Sequence, residues 1–409
     1  MSTPRRTHIG TLSLAELRDG YRAYLFDEYL PFWDRYGVDR EYGGFTCVLD
    51  HDGTRLADTK NMWWQGRGLW TYSYLYRHFG GDRHREVARR ARDFLLRCGR
   101  DGDGRWVGQL SRSGEVLAPP NPRGYEGLFI AEGLQAYAHA TGDAEALEVA
   151  ITSLHRCLDL FRDPDRRADE AYVPHSYPGM RVLGGSMVTL SILSQLLDQC
   201  DDAGLRSLCD QTLEAILERF WNPAYELTNE VLTVDFRRPD DANEDFIYLG
   251  HGIETLWMVM AEAVRRGDRA LLELAAGRFR RHVEVAWDPV YGGFFRALKV
   301  REMTYVLDKV LWLQEEVLIG TMILVEHTDW AWPEAWFERT FRYVEEKFRL
   351  RRHGLPLYQG SGDRQVSFEP HVRRKEHYHH PRRVMRNLLA LERLLGDAPA
   401  TLALAGESR

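Results

Sequence analysis

The chain has 409 residues, 44% hydrophobic and 28% charged, so it can bury a large core, and length alone allows two or three domains. With 54 Lys and Arg against 61 Asp and Glu, the net charge of −7 argues against a general nucleic-acid binder, which would carry a strong basic excess. Aromatics reach 12%, with 12 Trp and 19 Tyr, which suits ring-shaped ligands such as carbohydrate as well as it suits a large core.

The N-terminus, MSTPRRTHIGTLSLAELRDGY, has early arginines and no apolar run before charges return, which argues against a secretory signal. Cys47, Cys98, Cys157, Cys200 and Cys209 are odd in number and lack CxxC spacing. They read as reduced thiols of a cytoplasmic protein rather than a disulfide frame or zinc site. The longest uncharged stretch, Val182 to Leu197, is too short and polar to span a bilayer, so no membrane partner is expected.

A repeat organises the chain. Tyr42-Gly43-Gly44-Phe45 returns as Tyr291-Gly292-Gly293-Phe294, an offset of 249, and Lys60-x-x-Trp63-x-Gln65 returns at the same offset as Lys309-x-x-Trp312-x-Gln314. A Trp-Asp pair precedes each copy, Trp33-Asp34 and Trp287-Asp288. Weaker markers, in which a helical stretch runs into an aromatic and then Asp or Asn, end near Asp34, Asp101, Asp163, Asn222, Asp288 and Leu350. Six units of roughly 60 residues follow, each long enough for two helices and their loops.

In chain order, Arg85 to Arg97 is amphipathic, whereas Gly127 to Ala140, Ser186 to Leu197, Gly252 to Val264 and Val317 to Val325 are apolar nearly all round. Helices apolar on every side are buried. Alternating buried and amphipathic helices, six times over, predict an inner ring inside an outer ring. The expected fold is therefore an all-α (α/α)6 barrel of about twelve helices in a single domain spanning 1–409. About eight N-terminal and ten C-terminal residues are expected to be flexible. The pieces 43–49 and 292–297 are expected to form short β-hairpins on the rim, and an open solenoid is the competing architecture. The first turns of the inner helices and the loops before them mark the end where chemistry belongs.

Polar residues break the apolar pattern at that end. Lys60, Trp63 and Arg67 share one helical face, as do Lys309, Trp312 and Glu316. The repeat thus sets Arg67 where Glu316 stands in the other copy, a cation and an anion able to grip a polar ligand from two sides. A buried ion pair is the plainer reading. His251 and Glu254 lie one turn apart, as a general base and its orienting partner would, though a lone helix His is often a satisfied core residue. His371, His377, His379 and His380 crowd one segment before Pro381, which suits the first turn of a last helix running to about Gly396. That helix N-terminus favours neutral imidazole at His379 and His380. A metal site on His377 and His379 lacks further ligands at recognisable spacing. GxGxxG, Walker, HExxH and GxSxG patterns are absent from the sequence.

Five ordered motifs carry a resemblance. They are K-x-x-W-x-Q-G-R at Lys60 to Arg67, G-H-x-I-E at Gly250 to Glu254, W-D-x-x-Y-G-G-F at Trp287 to Phe294, K-x-x-W-x-x-x-E at Lys309 to Glu316, and Y-H-x-P-R at Tyr378 to Arg382. Over nearly its whole length the chain resembles the N-acylglucosamine 2-epimerase superfamily, with its cellobiose 2-epimerases and mannose isomerases. The resemblance implies an (α/α)6 barrel and an isomerase working without cofactor or metal. It implies that His251 and His379 are the catalytic histidines at the sugar C1–C2 region and that Glu254 partners the first of them. Arg67 would contact sugar oxygens and Trp312 would offer its ring. Glu316, Arg382, Lys309, Gln314 and Trp63 complete the implied substrate-binding set. The chemistry would open the sugar to its aldehyde, remove the C2 proton and form an enediolate. Return of the proton to the opposite face gives the 2-epimer, of N-acylglucosamine or glucose type; delivery to C1 gives a ketose. Leu183 to Leu190 lacks the N-x-x-x-H motif of cellobiose epimerases, so the chain is more similar to the N-acylglucosamine type. A glycoside hydrolase on the same barrel, which needs two carboxyls, and a non-catalytic sugar-binding protein are the remote alternatives. The implied partner is a small sugar, with a homodimer admissible.

Overall fold

Gly-Asp junctions explain how the helices turn. The computed structural model describes residues 6–167, 170–360, 375 and 377–397. Among them twelve helices follow one another. Helix α1 (14–37) begins as Leu14–Ala23 and continues through wider π turns at Tyr24–Tyr29 and Trp33–Gly37. Then come α2 (Met62–Phe79), α3 (Asp82–Cys98), α4 (Tyr125–Thr141), α5 (Ala144–Arg162), α6 (Leu183–Leu197) and α7 (Ala203–Glu214). The series ends with α8 (Leu249–Arg266), α9 (Arg269–Ala286), α10 (Leu311–His327), α11 (Ala331–Lys347) and α12 (His379–Leu395). Gly142 and Gly267 close α4 and α8 in the left-handed conformation. The next residues, Asp143 and Asp268, accept the backbone N–H of Ala146 (2.9 Å) and Leu271 (3.0 Å) to start α5 and α9. Each even-numbered helix up to α10 therefore turns tightly into the odd-numbered helix after it, and the long connections all fall at the other end.

The even-numbered helices form the inner ring. Helix α2 packs on α4, α4 on α6, α6 on α8, α8 on α10, α10 on α12, and α12 returns to α2, while α1 covers α12. The ring is closed, which rules out the open solenoid. Helices α4 and α6 are buried on nearly every side, as their all-round apolar sequences require. Helix α2 meets α4 at glycines: a Cβ on Gly133 would stand 2.4 Å from the Gly66 carbonyl oxygen. Among the described residues no helix is long and apolar enough to cross a membrane.

Short strands decorate the long-loop end. Lys60–Asn61, Gln109–Leu110 and Val116–Ala118 make one antiparallel sheet, and Phe246–Ile247, Ala297–Lys299 and Thr304–Val306 another. Arg181–Val182 pairs with Val231–Leu232. The expected hairpins at 43–49 and 292–297 are mostly single bridges, Val38 with Phe45 and Trp287 with Phe294. Paired glycines at φ 89° and 74° (Gly43, Gly44) and at 76° and 75° (Gly292, Gly293) force a tight turn there instead of a ladder.

Two expectations about the chain's ends need correction or fall away. His8–Ile9 pairs with Leu12–Ser13, and Arg6 donates to the Thr328 carbonyl (3.3 Å), so residues 6–8 are tied down rather than flexible. Residues 1–5 and the last ten lie outside the described residues, as does His371.

Candidate functional site

The motif lysines and glutamines turn out to build the rim. Lys309 Nζ pairs with Asp288 (2.9 Å) and donates to the Gly292 carbonyl. Gln314 clamps Phe294, accepting its N–H (3.0 Å) and donating to its carbonyl (3.2 Å). The other copy repeats each bond: Lys60 with Asp39 (2.9 Å) and the Gly43 carbonyl (2.6 Å), and Gln65 with the Phe45 N–H and carbonyl (both 2.8 Å). The counterpart of Asp288 is Asp39, not Asp34, whose carboxylate instead accepts from the Tyr72 hydroxyl (3.0 Å). Lys309 and Gln314, expected to bind substrate, are wholly buried supports of the glycine turn. A buried lysine keeps its charge only beside an acid, and the two bonds to Asp and carbonyl give it one fixed place.

The first two turns of the inner helices enclose a cavity of about 250 Å³. Trp63, Arg67, Gly184, His251, Glu254, Trp312 and His379 all line it, together with Arg123, Tyr125, Phe129, Glu170, Tyr172, Met187 and Tyr248. Larger clefts of about 640 and 500 Å³ lie away from these groups, the first beside Trp106 and Cys157, the second beside Tyr24 and Arg383. Trp63 stacks against both Tyr125 and Phe129, with centroids at 5.0 and 5.1 Å. Arg67 lies over Phe129 (4.0 Å) and Tyr378 (4.6 Å), a buried cation held by aromatic faces. Across the cavity Trp312 stands 6.0 Å from His251 and 5.5 Å from His379, ring to ring.

Each histidine is oriented by a buried carboxylate. His379 Nδ1 lies 2.8 Å from Glu316 Oε1, and His251 Nδ1 lies 2.9 Å from Glu230 Oε1. With Nδ1–H donated to an acid, the neutral ring carries its lone pair on Nε2. Burial alone would lower the His251 pKa, but the charge and hydrogen bond of Glu230, with Glu254 and Glu170 behind them, hold it above the ordinary value. Tyr172 also donates to Glu230 (2.9 Å).

The expected pairing of Glu254 with His251 is wrong. Glu254 accepts from Arg382 Nη2 (2.5 Å), and the same nitrogen donates to Glu316 (2.8 Å). One turn of helix gives i, i+3 proximity on the surface, but here the two side chains diverge, His251 toward Glu230 and Glu254 toward Arg382 on α12. Glu254, Glu316 and His379 offer ligand atoms within 4.8 Å of one another, as a metal set would. Arg382 stands between the two carboxylates and already supplies their cation. Trp257 Nε1 completes Glu316 at 2.6 Å.

His377 and His380, from the same segment as His379, pack within the core. His377 Nε2 meets Cys47 Sγ (3.4 Å) among Trp33, Phe45 and Trp64, a packed histidine rather than a ligand. His380 contacts Glu315 through Nδ1 and Tyr24 through Nε2 (2.8 Å).

Sequence reasoning missed Glu230, Tyr172, Glu170, Arg123 and Tyr125. All but Tyr125 sit on loops, where no helical period marks a facing residue. Glu230 stands 21 residues before its histidine.

The family model described as N-acylglucosamine 2-epimerase matches residues 43–381. The N-acylglucosamine 2-epimerase of Bos taurus is 24% identical over 344 residues, 80% of each chain. Among solved structures, cellobiose 2-epimerase from Spirochaeta thermophila superposes with a TM-score of 0.78 at 18% identity, covering 93% of this chain and 98% of that one. A D-mannose isomerase gives 0.73 at 16%, covering 94% and 98%.

Proposed function

The chain belongs to the N-acylglucosamine 2-epimerase family, a family of sugar-isomerising enzymes, and from that premise we propose that its cavity interconverts the C2 epimers of an aldose. The observation that carries this reading is the pair of histidine–carboxylate couples, His251–Glu230 and His379–Glu316, both beside Trp312 on one cavity. A 2-epimerase must remove a proton from one face of C2 and return one to the other. Two bases at one site meet that need, and a single base does not. One couple takes the C2 proton from the open-chain aldehyde, an enediolate forms, and the other couple protonates the opposite face. Arg67 and the inner-helix N-termini that converge on the cavity favour the negative charge of the enediolate.

The cavity, at about 250 Å³, falls below the roughly 300–1,000 Å³ of drug-sized pockets and fits one sugar ring. The substrate is a monosaccharide of the N-acylglucosamine or glucose type, bound against the Trp63 and Trp312 faces within one catalytic barrel. The test is product identification by NMR on a panel of aldoses and N-acylaldosamines. A new C2 epimer supports the reading; a ketose assigns aldose–ketose isomerisation through the same residues. Turnover of none, or glycoside cleavage alone, contradicts it.

A further inference from the structure

Proton transfer at C2 cannot begin on a closed sugar ring, because that proton becomes acidic only when C1 is a carbonyl. Two carboxyls outside the histidine couples line the cavity: Glu254, which is bound by Arg382, and Glu170. Glu170 lies on the loop between α5 and α6 and is 2% exposed. Its backbone is fixed: the N–H donates to Ser176 Oγ (3.1 Å) and the carbonyl accepts from Val173 N–H (3.0 Å). Its carboxyl lines the cavity. Among the described residues Oε1 has no hydrogen-bond partner, and Oε2 stands 4.0 Å from Arg123 Nη1, beyond hydrogen-bond reach. The buried hydroxyl of Tyr125, which lines the same cavity, is likewise without a hydrogen-bond partner there. An unsatisfied buried acceptor costs about 1–3 kcal/mol, and on the cavity wall a ligand that hydrogen-bonds to Glu170 relieves that cost.

Resting on the epimerase reading above, we propose that Glu170 is the acid–base that opens the sugar ring. Its neutral carboxyl gives a proton through one oxygen to the ring oxygen O5 while its other oxygen takes the proton of the C1 hydroxyl. The C1–O5 bond breaks, C1=O1 forms, and the carboxyl ends as neutral as it began. The two oxygens of a carboxyl are spaced to bridge the two oxygens on one hemiacetal carbon, so no second group is required. The protonation state fits. Burial, opposed by Arg123, His251 and Arg166 and reinforced by Glu230, pushes the carboxyl up to about 7. Close to neutrality such a group serves as donor and acceptor alike. Tyr125 and Arg123 orient the sugar hydroxyls beside it.

Ring opening can be read without epimerisation, because it exchanges the α and β anomers. Anomer exchange on glucose, mannose and N-acetylglucosamine is measured by NMR saturation transfer. The wild type should accelerate it on the sugar that it binds. His379→Ala should lose epimerisation, whereas Glu170→Gln should lose about 10²–10⁴-fold of the anomer exchange. Glu170→Ala should recover part of the rate with added formate, which a merely structural role would not allow. Glu170→Gln exchanging anomers at the wild-type rate, or an enzyme that never accelerates anomer exchange, would overturn the proposal. His379→Ala still forming the epimer would instead count against the epimerase reading, so the two failures are distinct.

Discussion

At the residue scale two imidazoles, His251 and His379, and the Arg382 guanidinium are each fixed by buried acids. Glu230 holds the proton of His251, against the burial that alone would favour the neutral ring. Glu230→Gln removes that charge, so the midpoint at which His251 gives up its proton should fall. NMR titration of the imidazole carbon-bound protons measures it, and an unchanged or raised midpoint would contradict the assignment. Arg382 is shared by Glu254 and Glu316 and sets the place of Glu316 beneath His379. Arg382→Leu leaves two buried carboxylates facing each other and should cost about 3–5 kcal/mol of stability as well as activity. Thermal unfolding followed beside turnover would show both losses. In the sequence Trp63, Arg67 and Trp312 stand out through the repeat, His251 at the head of an apolar helix, and His379 in the histidine cluster before Pro381. Glu230, Glu170 and Tyr172 do not, because a loop has no period against which a polar residue stands out.

At the scale of elements, the repeat is a structural device with a functional tip. Each copy uses Lys and Gln to lock a double-glycine turn, and each then presents a tryptophan to the cavity from the first turn of the inner helix. The sequence shows the repeat plainly but not which of its positions face inward. Lys309 looks like Arg67 on a helical face, yet it points back into the rim, where Asp288 takes its charge. Lys309→Met should therefore destabilise the fold by about 3–5 kcal/mol, through the uncompensated Asp288, while the folded fraction keeps its KM. A large rise in KM without loss of melting temperature would restore Lys309 to the binding set. The apolar patterns also began late: Ser186 for a helix that starts at Leu183, and Val317 for one that starts at Leu311. In α10 the missing turns carry Trp312, Glu315 and Glu316, and these polar and aromatic residues end the apolar run before the backbone ends the helix.

At the scale of the whole molecule the barrel is sealed where α1 covers the last inner helix, α12. Tyr24 on α1, Glu315 on α10 and His380 with Arg383 on α12 form that seam, one residue along from the His379–Glu316 couple. Burial raises the Glu315 carboxyl to about 8, opposed by Arg383 and reinforced by Glu316. Glu315→Leu strands His380 and Arg383 in the core and should lower the melting temperature sharply. Tyr24→Phe, which removes one hydrogen bond, should cost only about 1 kcal/mol. Equal losses in the two variants would mean that the seam acts through packing alone. The closed ring was anticipated from six units of similar length, since an inner ring of all-round apolar helices has no exposed face to leave open. Closure is also what brings α2, with Arg67, to α12, with His379. The central claim, that His251 and His379 exchange a proton with C2 from opposite faces, is tested most directly by running the reaction in D2O. The wild type should form the epimer with solvent deuterium at C2, and His251→Ala and His379→Ala should each form none. An epimer that retains its original C2 proton would contradict the claim.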